Sequence, residues 1–343
     1  MPKYEAIYPD SPHPLIATTA DLARREARNA VQIREVAVPP ETVLWVGASK
    51  ISDEEQKPYL DAGFTGMAYS VGFLPGLPGH GAANIAERKA LYESGHDLSQ
   101  SHLTVYLDTA EAGPPLGDWF DDARYRDKVI PAFKQIAAEA RANGFKGLGF
   151  DNELYFQGDQ LKTGWRWNYK TGQSETAVRA KVKQRATEIA RAVGDLPVII
   201  YHHTWPGSLS ARRQKNPAAD ARTFVWGDFF DGLAVGGLQF RLIDSHVYKD
   251  YACPDDPAGK LREVNNWNDA MANQKETIWP AHRDRWRPFL WLTAGRPGVE
   301  WERQRPDEYL AAQISAARAA GRDVYVYAYN LVGGAAQYAA MPL

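Results

Sequence analysis

Cysteine is nearly missing: Cys253 is the sole one among 343 residues. No intrachain disulfide and no thiolate metal cluster can therefore form. Long apolar runs are also missing. None approaches the ~18 residues needed to span a bilayer, and Met1-Pro2-Lys3-Tyr4 has no apolar signal core. The expectation is a soluble chain with no membrane partner, cytoplasmic as it stands or secreted if a leader has been removed. Charge of one sign is missing as well. Forty Lys and Arg against 42 Asp and Glu leave a net charge of -2, which argues against a nucleic-acid partner. The first apolar segment runs into Gly47-Ala48-Ser49-Lys50, without the GxGxxG that a dinucleotide fold would place there. What the chain does have is aromatic residues. Eleven Trp and seventeen Tyr suit the flat apolar faces of sugars and the rims of clefts.

Residues 1–16 carry four prolines and read as an extended arm, with a helix expected over 18–33. One unit then recurs, an apolar strand followed by a helix. Strands are expected at 42–46, 64–71, 103–107, 146–150, 197–201, 238–243, 288–292 and 324–329. Helices are expected at 83–92, 125–143, 175–193, 226–233, 266–285 and 307–320, with a short one starting at Ser52. Asn143-Gly144 and Gly194 are glycine stops. Eight such units predict an α/β fold with a parallel sheet, and eight is the count that closes a (β/α)8 TIM barrel. The expected organisation is residues 1–40 as an N-terminal arm and helix packed on a barrel of residues 41–343.

The stretch Gly144-Phe145-Lys146-Gly147-Leu148-Gly149-Phe150-Asp151-Asn152-Glu153 stands at the centre of this pattern. A short apolar strand ends in two acids that frame one amide. Asp151 and Glu153 alternate with Asn152, so an extended segment puts both carboxyls on one face. A barrel carries its chemistry at the C-terminal ends of its strands, and paired carboxyls there suit acid-base work. The other strand ends supply Asp108, His202 with His203, Asp244 with His246, and Tyr329 with Asn330. Taken singly, a strand-end Asp is as readily a helix cap and a lone His as readily a core hydrogen-bonding group.

These residues resemble several families of barrel glycoside hydrolases. The stretch is similar to the fourth strand of the chitinase-like family 18, whose pattern is DGxDxDxE. Asp151 and Glu153 match it, while Lys146 and Gly149 stand at the first two acidic positions. In that family the Glu is the acid, and the neighbouring Asp steadies an acetamido group of the substrate. Asn152-Glu153 resembles the Asn-Glu of clan A retaining enzymes, whose nucleophilic Glu ends strand seven; here strand seven ends Leu292-Thr293-Ala294-Gly295. Asp151 and Asp244 fit the Asp pair on strands four and six of α-galactosidase-like barrels.

The resemblance implies cleavage of O-glycosidic bonds in a poly- or oligosaccharide. Glu153 is the expected general acid and base, Asp151 the nucleophile or stabiliser, and Asp244 the second candidate. Asp108, Asn152, Tyr201, His202, His203, His246, Tyr248, Tyr329 and Asn330 are candidate substrate-binding groups, and Trp165, Trp167, Trp205 and Trp291 candidate stacking faces. Carboxyls ~5–5.5 Å apart would mean retention, and ~6.5–9.5 Å inversion. This reading needs no cofactor and no metal. One alternative is a metal-dependent hydrolase or isomerase using Glu153, His203, Asp244 and His246 as oxygen and nitrogen ligands. The other is a sugar-binding barrel without catalysis.

Overall fold

The computed structural model describes residues 3–7, 15–17, 32–36, 42–46, 60–61, 63–107, 116–151, 172–202, 225–244, 281–282, 285–287, 289–292, 318 and 323–328. The chain divides into two compact units, Met1–Pro40 and Glu41–Leu343.

The first unit is a small antiparallel sheet. Strands β1 (Lys3–Ile7), β2 (Leu15–Ala17) and β3 (Gln32–Val36) lie in the order β2-β1-β3. Tyr4 pairs with Ala17 on one side and Glu35 on the other. The expected extended arm is thus partly strand. The expected helix fails at its end, because Ile33 lies in β3 opposite Ala6. Leu15, Ile16, Ile33 and Val36 are apolar or β-branched residues that suit a pleated ladder. The prolines that suggested an arm, Pro9, Pro12 and Pro14, fall between β1 and β2 in the sequence.

The second unit is α/β and built on a parallel sheet. Its strands are β4 (Thr42–Val46), β5 (Gly66–Phe73), β6 (His102–Tyr106), β7 (Gly147–Asp151), β8 (Val198–His202), β9 (Phe240–Asp244), β10 (Trp286–Arg287), β11 (Phe289–Leu292) and β12 (Val324–Ala328). The order is β10-β9-β8-β7-β6-β5-β4-β12-β11, and every pairing is parallel. The two strands at the ends of that order, β10 and β11, are separated in sequence by Pro288 alone.

Alternation along each strand divides the core. Met67, Tyr69, Leu103, Val105, Leu148, Phe150, Val198, Ile200 and Leu242 belong to one large cluster with the helices. Val43, Ala68, Ile199, Tyr201, Ile243 and Tyr325 form a second buried cluster on the opposite face. A strand buried on both faces reads as a near-continuous apolar run, which is how these segments look in the sequence.

The helices are α1 (Ala82–Tyr92), α2 (Asp122–Arg124), α3 (Ile130–Ala142), α4 (Glu175–Val193) and α5 (Trp226–Val235). A π-helical segment, Tyr125–Val129, joins α2 to α3. The end of α3 sets up β7. Gly144 takes a left-handed φ of 73°. Its N–H donates to the Arg141 carbonyl at 3.1 Å, and the Phe145 N–H reaches back to the Ala140 carbonyl at 2.9 Å. That pair of bonds is a Schellman closure. It buries Phe145, and two residues later the chain enters β7.

The expected strand 64–71 runs on to Phe73. A register shift between Ser70 and Phe73 absorbs the change, with Gly72 at φ 89° between them. Of the expected helices beyond α5, Arg318 is helical and most of the rest lies outside the described residues.

Candidate active site at the C-terminal end of β7

Asp151 is the last residue of β7 and is 4% exposed. In register it lies between Tyr106 of β6 and Tyr201 of β8. Its carbonyl accepts from the Leu107 N–H at 2.6 Å, which ties the ends of β6 and β7 together. Phe150 packs with the helices, edge-on to Phe133 at 5.4 Å. Asp151 therefore belongs to the opposite face, in one row with Tyr106, Tyr201 and Ile243. Tyr201 is 1% exposed and sits among Val43, Ala68, Ile199, Ile243 and Tyr325. The acid thus stands at the end of an apolar interior rather than on an open surface.

The floor beneath Asp151 is close-packed. Gly149 precedes it by two residues on the same face, and a Cβ there would collide with the Thr104 hydroxyl. No larger residue fits at 149 without displacing the Thr104 side chain. The Thr104 hydroxyl and His102 Nδ1 are buried without a hydrogen-bond partner among the described residues. Burial, reinforced by the charge of Lys146, lowers the His102 pKa to about 3. His102 is therefore a neutral imidazole in the interior.

The other sequence candidates are placed as follows. His202 and Asp244 are the last residues of β8 and β9 and are opposite each other in register. Ile243, one residue before Asp244, is the member of the Asp151–Tyr201 row. Trp291 lies in β11 opposite Tyr327. Asp108, Asn152, Glu153, Trp165, Trp167, His203, Trp205, His246, Tyr248, Tyr329 and Asn330 lie outside the described residues. So does most of the alternative metal set, namely Glu153, His203 and His246. Among the described residues, no group of three or more His, Cys, Asp or Glu side chains is placed to hold a metal ion. No described helix is long and apolar enough to cross a membrane.

Sequence reasoning missed Tyr106 and Phe73. Tyr106 was legible in principle, since it precedes Asp108 by two in an alternating strand. Phe73 was hidden by the bulge. Simple alternation from Ala68 and Ser70 would put residue 72, not 73, on their face, but the shifted register sets Phe73 beside Tyr106. The two rings are 5.5 Å apart and inclined at 45°.

No family model matches the chain, and no curated protein matches it. Solved structures do resemble it. A GH18 chitinase from Pseudoalteromonas aurantia aligns over 87% of this chain and 97% of its own, with 8% identity and a TM-score of 0.44. The PgaB (BpsB) glycoside hydrolase domain from Bordetella bronchiseptica aligns over 87% and 96%, with 14% identity and a TM-score of 0.43. An old yellow enzyme homologue from Zymomonas mobilis aligns over 91% and 97%, with 12% identity and a TM-score of 0.42. Likeness at this level assigns no activity.

Proposed function

We propose that the protein is a glycoside hydrolase, with Asp151 and Glu153 as its working carboxyls at the mouth of a (β/α)8 barrel. One observation carries the reading. The Asp151 carboxyl is buried at the C-terminal end of a central parallel strand, in a row with two tyrosines. Burying a carboxyl is costly unless it is paired or hydrogen-bonded, and carboxyls held in such a setting at a strand mouth cluster at functional sites. In an extended continuation of β7, Glu153 would share the face of Asp151. Glu153 would then protonate the leaving oxygen and later deprotonate water. Asp151 would attack or stabilise the sugar cation. Barrel closure is part of the same proposal. β10 and β11 stand at opposite ends of the strand order yet are separated by Pro288 alone. Counted as one strand they make eight, the number that closes such a barrel.

The test is a panel of cello-, chito- and malto-oligosaccharides with the matching aryl glycosides, scored by reducing-end release. Wild type is expected to cleave at least one. Glu153→Gln should lower kcat on that oligosaccharide by ~10²–10⁴-fold and spare the first step on an aryl glycoside with a good leaving group. Asp151→Asn should hurt both substrates. Near-full activity of Glu153→Gln on the oligosaccharide would remove Glu153 from the role of acid. Binding without turnover by wild type would favour the non-catalytic reading.

A further inference from the structure

We propose that Phe73 and Tyr106 form an aromatic wall for a sugar ring beside Asp151, on the β5–β6 side of the mouth. The inference rests on the glycosidase reading and adds to it a second binding position. Its basis is the way the chain is built to present these rings. Up to Ser70, β5 and β6 run in even register, Ala68 opposite His102 and Ser70 opposite Thr104. The next pair is Phe73 opposite Tyr106, so one extra residue has been inserted in β5. A bulge of this kind re-aims a side chain. Without it, Phe73 would face the helices with Val71. With it, Phe73 joins the row that continues through Tyr106 to Asp151.

The bulge is held in place from behind. The chain folds back so that Gly79 lies flat against the Phe73 ring; a Cβ there would come within 2.8 Å of the ring. His80 Nδ1 bonds the Phe73 carbonyl at 3.0 Å, and Asn84 donates to the Gly79 carbonyl at 2.9 Å. Arg88 holds His80 and pairs with Glu139 at 3.0 Å, so the anchor reaches α3. Both rings remain half-buried, where Tyr69, Val71 and Val105 close by are fully buried. A core would hide these rings. Here a bulge and an anchored turn keep part of them exposed, next to a buried carboxyl. An apolar, polarised ring face of this kind suits the C–H face of a pyranose.

The experiment measures binding and turnover separately, with the same oligosaccharides and aryl glycosides. Phe73→Leu and Tyr106→Leu keep apolar volume and remove the π-face, and Phe73→Trp restores one. If wild type cleaves a substrate, each Leu variant should raise KM about tenfold with kcat within about twofold, and Phe73→Trp should restore KM. Unchanged KM in both Leu variants, in an active enzyme, overturns the wall and leaves the glycosidase reading standing. If wild type binds an oligosaccharide by calorimetry without cleaving it, about tenfold weaker binding in the Leu variants supports the wall while the glycosidase reading fails. If wild type neither binds nor cleaves any of them, both fail. Circular dichroism spectra matching wild type identify the variants that report on binding. Should both Leu variants misfold, Phe73→Met and Tyr106→Met replace them, with a tenfold rise in KM supporting the wall and an unchanged KM in both overturning it.

Discussion

At the residue scale, Asp151 and His102 show how one interior treats two titratable groups. Asp151 sits at the last position of β7 and is 4% exposed. His102 lies two rows deeper, fully enclosed, with its pKa lowered to about 3 by burial and then by Lys146. The unfolded chain would titrate this imidazole near 6.5 and the folded chain near 3. Between those values the unfolded state binds the extra proton, so folding stability falls as pH falls. The slope approaches ~1.4 kcal/mol per pH unit below about 6.5. His102→Gln removes the titration. Urea midpoints from pH 7 to pH 4.5 should therefore fall more steeply for wild type than for the variant, and equal slopes would mean that His102 takes up a proton inside the fold. The place of Asp151 at the end of a strand was legible from sequence, because a short apolar run follows the glycine stop at Gly144 and leads straight into it. Neutral His102 was not legible, because burial depends on strands that meet only in the folded sheet. The same is true of the Phe73–Tyr106 contact, which needs a register shift that no local alternation announces.

At the element scale, strands β4 to β9, β11 and β12 and helices α1, α3, α4 and α5 were readable because period and punctuation agree, while β10 and α2 were not. The α3 stop is an example, with Gly144 supplying the left-handed residue and Phe145 the apolar contact. The π-helical segment was not readable, since five residues are too few to separate its period from that of an α-helix. In the fold, Arg185 of α4 fixes this region. Its guanidinium lies 4.2 Å from the centre of the Tyr125 ring, donates to the Trp119 carbonyl at 3.0 Å, and pairs with Asp122 and with Glu188. Close approach of α4 and α5 depends on Gly232, whose carbonyl accepts from the Thr187 hydroxyl at 3.0 Å. A Cβ at 232 would collide with the Lys183 carbonyl and press within 2.6 Å of the Ala186 Cβ. Gly232→Ala should therefore force the helices apart and lower stability by about 1–3 kcal/mol, despite the better helix propensity of Ala. A urea midpoint equal to wild type would mean that the two helices slide without loss.

At the scale of the whole molecule, the question is whether the sheet has edges. The eightfold alternation in the sequence anticipates the strand order from β4 to β9, but it cannot show how the last strands meet the first. The register narrows the question to residues 286–292. β10 pairs with β9 through Trp286–Leu242 and Arg287–Ile243, and β11 pairs with β12 through Phe289–Tyr325 to Leu292–Ala328. In a parallel strand, successive residues direct their backbone N–H groups to alternate sides. If residues 286–292 form one strand closing the barrel, neighbouring amides bond alternately to β9 and β12, and all are satisfied except at Pro288, which has no N–H. If the sheet were open, every second amide in this segment would face solvent and exchange quickly. Hydrogen exchange read at single residues by NMR separates the two. Protection on successive residues from Phe289 to Leu292, matching that on β7, is the expected outcome. Alternating protection would mean that β10 and β11 are true edges, and the mouth at Asp151 would then be the end of an open sheet rather than a barrel.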